Sequence, residues 1–197
     1  MKIPALYATY KGGSVHTGRV EYSGDKMSLG EPITRSTQVS KDDERLPLVV
    51  VDVRGMNTRV MDDRLLMDMK FPGGDVWYLT PIVDLDDLFD VFMGDIVKVL
   101  MPIHMVRDRS TLEEIFEISD CCIPVIYPSK VRSVDNMIRE LGRVGFMDVV
   151  VCDRAGEISY DGWNRLFETI GVIPFVCDTS VADELEAIGF NKIIVDF

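Results

Sequence analysis

The chain has 197 residues, of which 47% are hydrophobic and 27% are charged, and its formal net charge is −12. A chain of this length can bury one substantial core, so we expect a single domain over residues 1–197. The acidic charge disfavours nucleic-acid binding, because it repels phosphate backbones. The sequence has no apolar stretch of the roughly 18 residues that a membrane span requires and no signal-peptide pattern, so we expect a cytoplasmic location.

The N-terminal part of the chain predicts a hairpin. Residues 2–10 and 14–22 read as two strands that turn at Lys11-Gly12-Gly13, where glycine permits the backbone angles of a tight turn. Residues 23–45 are polar and weakly patterned, and they predict no helix. Residues 57–69 predict a helix.

From residue 48 onward, short apolar runs alternate with amphipathic segments. Strands are predicted near Val50, Tyr78, Val99, Val125, Val150, Phe175 and Ile194. The helices between them have predicted N-terminal caps at Asp84, at Ser110 with Glu113 as a capping box, and at Ser133. Glycines predict where the helices end, at Gly94, Gly145, Gly171 and Gly189.

With the strand near Ile3, the predicted strands number eight, which indicates an α/β fold of the closed (β/α)8, TIM-type barrel class. An open, doubly wound sheet is the alternative, because periodicity does not report closure. Such barrels typically need about 250 residues, and this sequence stops two residues after its last strand, so we expect a trimmed barrel without a final helix. That would leave an apolar strip for a partner subunit, in a homo-oligomer, or for the 23–45 segment to cover.

Four parts of the sequence carry a resemblance to a known family. They are Ile3-Pro4-Ala5-Leu6 with Lys11-Gly12-Gly13 and Val15-His16, then residues 48–52, residues 85–88, and residues 151–156. These segments resemble the ProFAR isomerase (HisA) family, and most of all a largely archaeal, HisA-related branch. The resemblance is diffuse but spans nearly the whole chain. It implies a barrel that acts on a small phosphorylated metabolite.

The departures from that family concern its chemistry. The family has a proton-transferring acid at the end of the first barrel strand and another at the end of the fifth, where this sequence has Tyr7 and Tyr127-Pro128. A phenol is a poor base near neutral pH. The family's phosphate-binding glycines after the third and seventh strands are replaced by Thr80-Pro81 and Cys177-Asp178-Thr179. We therefore expect no ProFAR isomerase activity.

Ionisable residues follow most predicted strands, at the end of a barrel where ligands bind. The predicted catalytic residues are Asp52, His104, Lys130, Asp153 and Asp178. The predicted ligand-binding residues are Lys11, Gly12, Gly13, Arg107, Arg132 and Arg154. A barrel rim is also polar without any chemical role, and that alternative stays open.

The cysteines do not predict a metal site. Cys152-Asp153 and Cys177-Asp178 repeat one pair on adjacent strands, and together they would offer zinc ligands. Neighbours in a strand point to opposite sides, however, which favours buried, reduced cysteines beneath rim aspartates. The sequence identifies no cofactor.

Two hypotheses follow for the function. The first is a HisA-related enzyme of another reaction, acting on a small polar or phosphorylated metabolite. The second is a non-catalytic binding or scaffold protein that works through an oligomer interface. An open polar pocket at the barrel mouth would favour the first hypothesis. A mouth plugged by Tyr7, Met101 and Tyr127 would favour the second.

Overall fold

The structure, a computed structural model, describes residues 1–23, 26–32, 47–69, 75–169 and 171–196. Its strands are β1 (Lys2–Lys11), β2 (Ser14–Ser23), β3 (Lys26–Pro32), β4 (Leu48–Asp52), β5 (Val76–Leu79), β6 (Lys98–Pro102), β7 (Cys122–Ile126), β8 (Val149–Cys152), β9 (Val172–Val176) and β10 (Ile193–Asp196). Its α-helices are α1 (Val53–Thr58), α2 (Asp63–Asp68), α3 (Leu85–Val91), α4 (Arg109–Ile118), α5 (Val134–Val144), α6 (Tyr160–Phe167) and α7 (Thr179–Ile188). None of these helices is long and apolar enough to cross a membrane.

Eight of the strands close into a parallel barrel. Their order is β1-β4-β5-β6-β7-β8-β9-β10, and helices connect β4 to β5 and each later pair of neighbours. β10 then pairs in parallel with β1, from Lys2 opposite Ile193 to Ala5 opposite Asp196. This pairing confirms the predicted closed α/β barrel and excludes the open sheet. The predicted trimming after the last strand stays a prediction.

The core has two layers because successive strand residues point to opposite faces. The inner layer fills the barrel with residues such as Tyr7, Val51 and Phe175, all buried. The outer layer packs their strand neighbours, among them Val50 and Val176, against the helices. The barrel is therefore a packed core and not a channel.

Two antiparallel strands extend from the barrel between β1 and β4. β2 pairs with β1 through the predicted turn, where Gly12 and Gly13 have φ angles of 60° and 88° that favour glycine. β3 pairs with β2, and we call β2 and β3 together the arm. The sequence predicted no helix in residues 23–45 but did not predict β3 either, because its polar sequence has only two inward apolar side chains, Met27 and Leu29. Residues 33–46 lie outside the described part.

The helix predicted over residues 57–69 is wrong in its bounds. The chain forms two short helices there, α1 and α2, because Arg59 adopts a left-handed conformation at φ 60° and ends α1. Asp62 then begins α2 by accepting a hydrogen bond from the backbone N–H of Leu65. Apolar spacing predicted the helical character of this segment but not the break.

Most predicted helix starts are confirmed, with one correction. Asp84 and Ser133 cap α3 and α5 as predicted. α4 begins after Asp108, whose carboxylate accepts hydrogen bonds from the backbone N–H and hydroxyl of Thr111. The predicted capping box at Ser110 is therefore wrong, because Ser110 lies inside the first turn of the helix that Asp108 caps.

Candidate functional site

The C-terminal end of the barrel, where proteins of this fold hold ligands, is covered by apolar side chains. Those that pack on the inner layer from above are Val20, Met27 and Leu29 of the arm, Val53 and Met56 of α1, and Met105. Tyr7 and Tyr127 also belong to this packing, as predicted for a plugged mouth. Met101 does not, because it faces the helices in the outer layer. The mouth is therefore closed.

A cluster centred on Arg154 lies beneath this cover. Its guanidinium forms an ion pair with Asp196, and the two side chains are only 15% and 10% exposed. Asp196 also accepts a 2.6 Å hydrogen bond from the hydroxyl of Tyr7. The guanidinium carbon lies 4.9 Å from the ring centroid of Tyr7, 4.6 Å from that of Tyr22 and 5.3 Å from that of Phe175. The charge of Arg154 is thus engaged within the protein.

His104 lies beside this cluster, edge-on to Tyr127 with ring centroids 5.3 Å apart. Burial, helped by the positive charges of Lys130 and Arg59, lowers the pKa of His104, so its ring is neutral at pH 7. Its Nδ1 is buried and makes no hydrogen bond within the described ranges. Burial raises the pKa of Tyr127 and of Cys152 far above their usual values. These phenol and thiol groups are uncharged near neutral pH.

Asp52 serves as an internal anchor on the helix side of β4. Its neighbour Val51 points into the barrel, so the Asp52 carboxylate points outward. It is fully buried and accepts hydrogen bonds from four donors, which are Gly55 N at 2.7 Å, Asp62 N at 2.9 Å, Thr80 Oγ1 at 3.0 Å and the Tyr78 hydroxyl at 3.2 Å. Burial nevertheless raises its pKa. With its acceptor sites occupied, this carboxylate holds structure together.

The other two predicted catalytic aspartates also organise backbone. Asp153 is buried and accepts hydrogen bonds from Glu157 N at 2.8 Å and Ile158 N at 2.9 Å, which folds the loop after β8. Asp178 is exposed and caps α7 through Ser180 N at 2.7 Å, and this hydrogen bond lowers the pKa of Asp178. Because Asp52 and Asp153 both face the helices, the predicted catalytic set does not come together around the barrel axis.

Apart from the largely buried Arg154, the predicted basic residues are spread over the surface. Arg107 forms an ion pair with Asp84 at the start of α3. Lys130 and Arg132 are exposed in the segment between β7 and α5. Lys11, one of the predicted ligand-binding residues, lines the cleft described next.

A cleft of about 560 Å³ lies between the arm and α1, and we call it the arm cleft. Its lining residues are Thr9, Lys11, His16, Thr17, Ser28, Leu29, Gly30, Val53, Arg54, Asn57 and Thr58. This volume suits a small-molecule ligand. Apart from Lys11 and His16, no sequence pattern groups these residues, because the cleft exists only once β3 is placed beside α1.

The charge of the arm cleft is positive. Among the residues that the structure describes, Lys11 and Arg54 are the charged lining residues and no lining residue is acidic. The Glu21 carboxylate nevertheless lies beside the lining residue Gly30, where an added Cβ would meet Glu21 Oε1. The Arg54 guanidinium also forms an ion pair with Asp62, whose Oδ1 lies 3.8 Å from it. The exposed Lys11 ammonium forms no hydrogen bond or ion pair with any other residue the structure describes.

Some polar side chains of the cleft already make hydrogen bonds within the protein, and others have hydrogen-bonding groups left for a ligand. Asn57 is engaged at both ends of its amide by the backbone of Met27. His16 Nε2 lies 3.0 Å from the backbone oxygen of Lys11. The hydroxyls of Thr9 and Thr17 have no hydrogen-bond partner within the described chain. Lys11 and these hydroxyls are therefore the groups that a ligand would meet.

The cysteines are all unpaired, and they divide differently from the prediction. Cys152 is buried in the inner layer as expected, whereas Cys177 is exposed at the end of β9. The expectation of two buried cysteines is thus wrong for Cys177, which lies beyond the last buried residue of its strand, Val176. In the described part of the chain, no three His, Cys, Asp or Glu side chains gather as metal ligands.

No protein-family model matches the chain, and no curated protein matches it.

Proposed function

We propose that this protein binds a small anionic metabolite, most of all a phosphate ester, in the arm cleft. The observation that carries the proposal is the exposed Lys11 ammonium, which belongs to a cleft whose described lining residues include no acidic residue, in a chain whose net charge is −12. In a protein so acidic, a cleft whose charged lining residues, within the described part of the chain, are all basic is a local exception. Such a patch attracts anions that the remaining surface repels.

The chemistry of the lining fits a phosphate ester. A phosphate has several acceptor oxygens, and Lys11 and Arg54 offer charged donors while Thr9 and Thr17 offer hydroxyl donors. Leu29 and Val53 supply an apolar wall for the carbon skeleton of the ligand. Ligand sites commonly combine such a wall with a few polar groups that fix orientation.

We also propose that the protein is related to the HisA-type barrels and lies in the cytoplasm. Its ligand, in this proposal, binds away from the barrel axis. Tyr7 and Tyr127, which stand where that family has its acids, are packed against the inner core, and burial raises the pKa of both. Neither phenol can act as a base near neutral pH. The closed mouth likewise supports binding in the arm cleft over proton transfer at the axis, so we propose that ProFAR isomerase activity is absent.

A thermal-shift screen with ribose phosphates, inorganic phosphate and ProFAR tests the proposal. A ligand at 100 times its dissociation constant adds about 2.7 kcal/mol. For a domain of this size, that raises the unfolding midpoint by roughly 5–11 °C. The variant Lys11→Met should weaken binding of the best compound about tenfold, because one charge-assisted hydrogen bond is lost.

Lys26→Met is the matched control. Lys26 is exposed at the start of β3 and lies outside the cleft lining, so this variant removes the same charge from the same arm. Equal weakening by both variants would indicate a general charge effect and contradict the assignment. An unchanged unfolding midpoint with every compound would refute the proposal that the ligand is a phosphate ester.

A scaffold role is the second candidate, and one surface feature favours it. At the end of α3, Phe89, Phe92 and Met93 are exposed, with Met93 at 77%, and the two phenylalanine rings are 6.5 Å apart. Contiguous exposed apolar side chains mark interaction surfaces. Sedimentation velocity should then show a homo-oligomer that Met93→Lys dissociates. A wild-type protein that is monomeric at micromolar concentration would argue against this role.

A further inference from the structure

Besides the pairing of β2 with β1 and the apolar packing of the arm on the inner layer, two polar contacts hold the arm over the barrel mouth. At the first, Asn57 of α1 accepts a 2.8 Å hydrogen bond from Met27 N and donates a 2.7 Å hydrogen bond to Met27 O. The Asn57 amide thereby pairs with β3 as a neighbouring strand would. At the second, the ring of Tyr22, near the end of β2, lies over the guanidinium of Arg154.

In the second contact, the Arg154 side chain is held firmly within the barrel, whereas the Tyr22 side chain belongs to the arm. Arg154 is held by its ion pair with Asp196 on β10 and by the rings of Tyr7 and Phe175. Tyr22, in contrast, is 49% exposed and belongs to the arm. The guanidinium thus presents a fixed, flat, charged surface on which the Tyr22 ring can stack.

The geometry points to Arg154 as the positioning residue of the arm: through Tyr22 it holds β2 and β3 against the barrel and so sets the arm cleft. This inference rests on the proposed function only where it concerns the cleft. Arg154 contacts no part of the cleft lining through its charge, since the guanidinium faces Asp196 and the aromatic rings. Its effect on a ligand is therefore indirect.

Amide hydrogen exchange of the ligand-free protein tests the fastening. Tyr22→Leu removes the aromatic face but leaves an apolar side chain at an exposed position, so the barrel stays folded. Exchange of the β2 and β3 amides should become roughly tenfold faster, because local opening of the arm then costs less. The conservative variant Tyr22→Phe keeps the aromatic face and should exchange like the wild type.

Arg154→Lys completes a double-mutant cycle with Tyr22→Leu. Lysine can keep the charge beside Asp196 but lacks the flat face on which Tyr22 rests. The double variant should exchange no faster than Tyr22→Leu alone, since both changes remove one interaction. Urea unfolding should show unchanged global stability for Tyr22→Leu, which separates an arm effect from general destabilisation.

The outcomes distinguish this inference from the proposed function. Wild-type exchange rates in Tyr22→Leu, or fully additive effects in the double variant, would overturn the role of Arg154. Faster arm exchange together with about tenfold weaker binding of ribose 5-phosphate would support both claims. Faster arm exchange in a protein whose wild type binds no phosphate ester would support the fastening and refute the proposed ligand. Faster exchange with unchanged ribose 5-phosphate affinity would overturn the claim that the fastening sets the cleft.

Discussion

Replacing Asp52 with alanine tests whether this carboxylate is an anchor of the fold. The change leaves four buried donors without their acceptor, namely the backbone N–H groups of Gly55 and Asp62, the Thr80 hydroxyl and the Tyr78 hydroxyl. Each unsatisfied buried group costs about 1–3 kcal/mol. Removal of a carboxylate whose pKa is raised by burial returns part of that cost. We expect a net loss of about 3–5 kcal/mol.

Urea unfolding followed by circular dichroism measures this loss, and the midpoint of thermal unfolding should fall by roughly 6–20 °C. Asp178→Ala is the control, because Asp178 also follows a strand and caps a helix but is exposed. It should cost much less than Asp52→Ala. A loss below about 1 kcal/mol for Asp52→Ala, within the range of ordinary surface substitutions, would refute the anchoring role.

Three further predictions concern other parts of the fold. Hydrogen bonds from the first turn of α4 lower the pKa of Asp108. The stability that the Asp108 carboxylate contributes is therefore present above its unfolded pKa of about 3.9 and is lost as pH falls through its folded pKa. Asp108→Asn should consequently lose less stability than the wild type in urea unfolding between pH 5 and pH 3. Hydrogen bonding with the thiol of the next residue lowers the pKa of Cys121 to about 6, so its iodoacetamide labelling rate should be flat from pH 7 to 8, and a rate still climbing there would contradict this. Gly145 and Gly12 both have positive φ, but a Cβ meets a phenylalanine ring only at Gly145, so Gly145→Ala should cost more than the roughly 1 kcal/mol of Gly12→Ala.

The regular part of the barrel could be predicted because each signal is local. The buried run around Val150 and the cap at Ser133 need only their neighbours in sequence to be recognised. The break between α1 and α2 was missed because it depends on the left-handed conformation of Arg59, which apolar spacing does not encode. β3 was missed because two inward apolar residues make too short a pattern.

The candidate site was harder to predict for a related reason. An aspartate between a strand and a helix fits both a rim carboxylate and a helix cap, and sequence alone does not choose between them. Asp52 and Asp178 both proved to be caps. Lys11 was recognised, but its cleft depends on the placement of β3 against α1, which is a contact between distant parts of the chain.

Mapping of ligand-induced shifts in the amide NMR spectrum shows where on the protein a phosphate ester binds. With ribose 5-phosphate added to saturation, we expect shifts concentrated at Thr9, Lys11, Thr17 and Ser28 of the arm cleft. Lys11→Met should raise about tenfold the ligand concentration that gives half-maximal shifts, and Lys26→Met should leave that concentration unchanged. Shifts centred instead on His104, Tyr127 and Arg154 at the barrel mouth would contradict the account, because they would place the ligand at the axis that the structure shows to be closed.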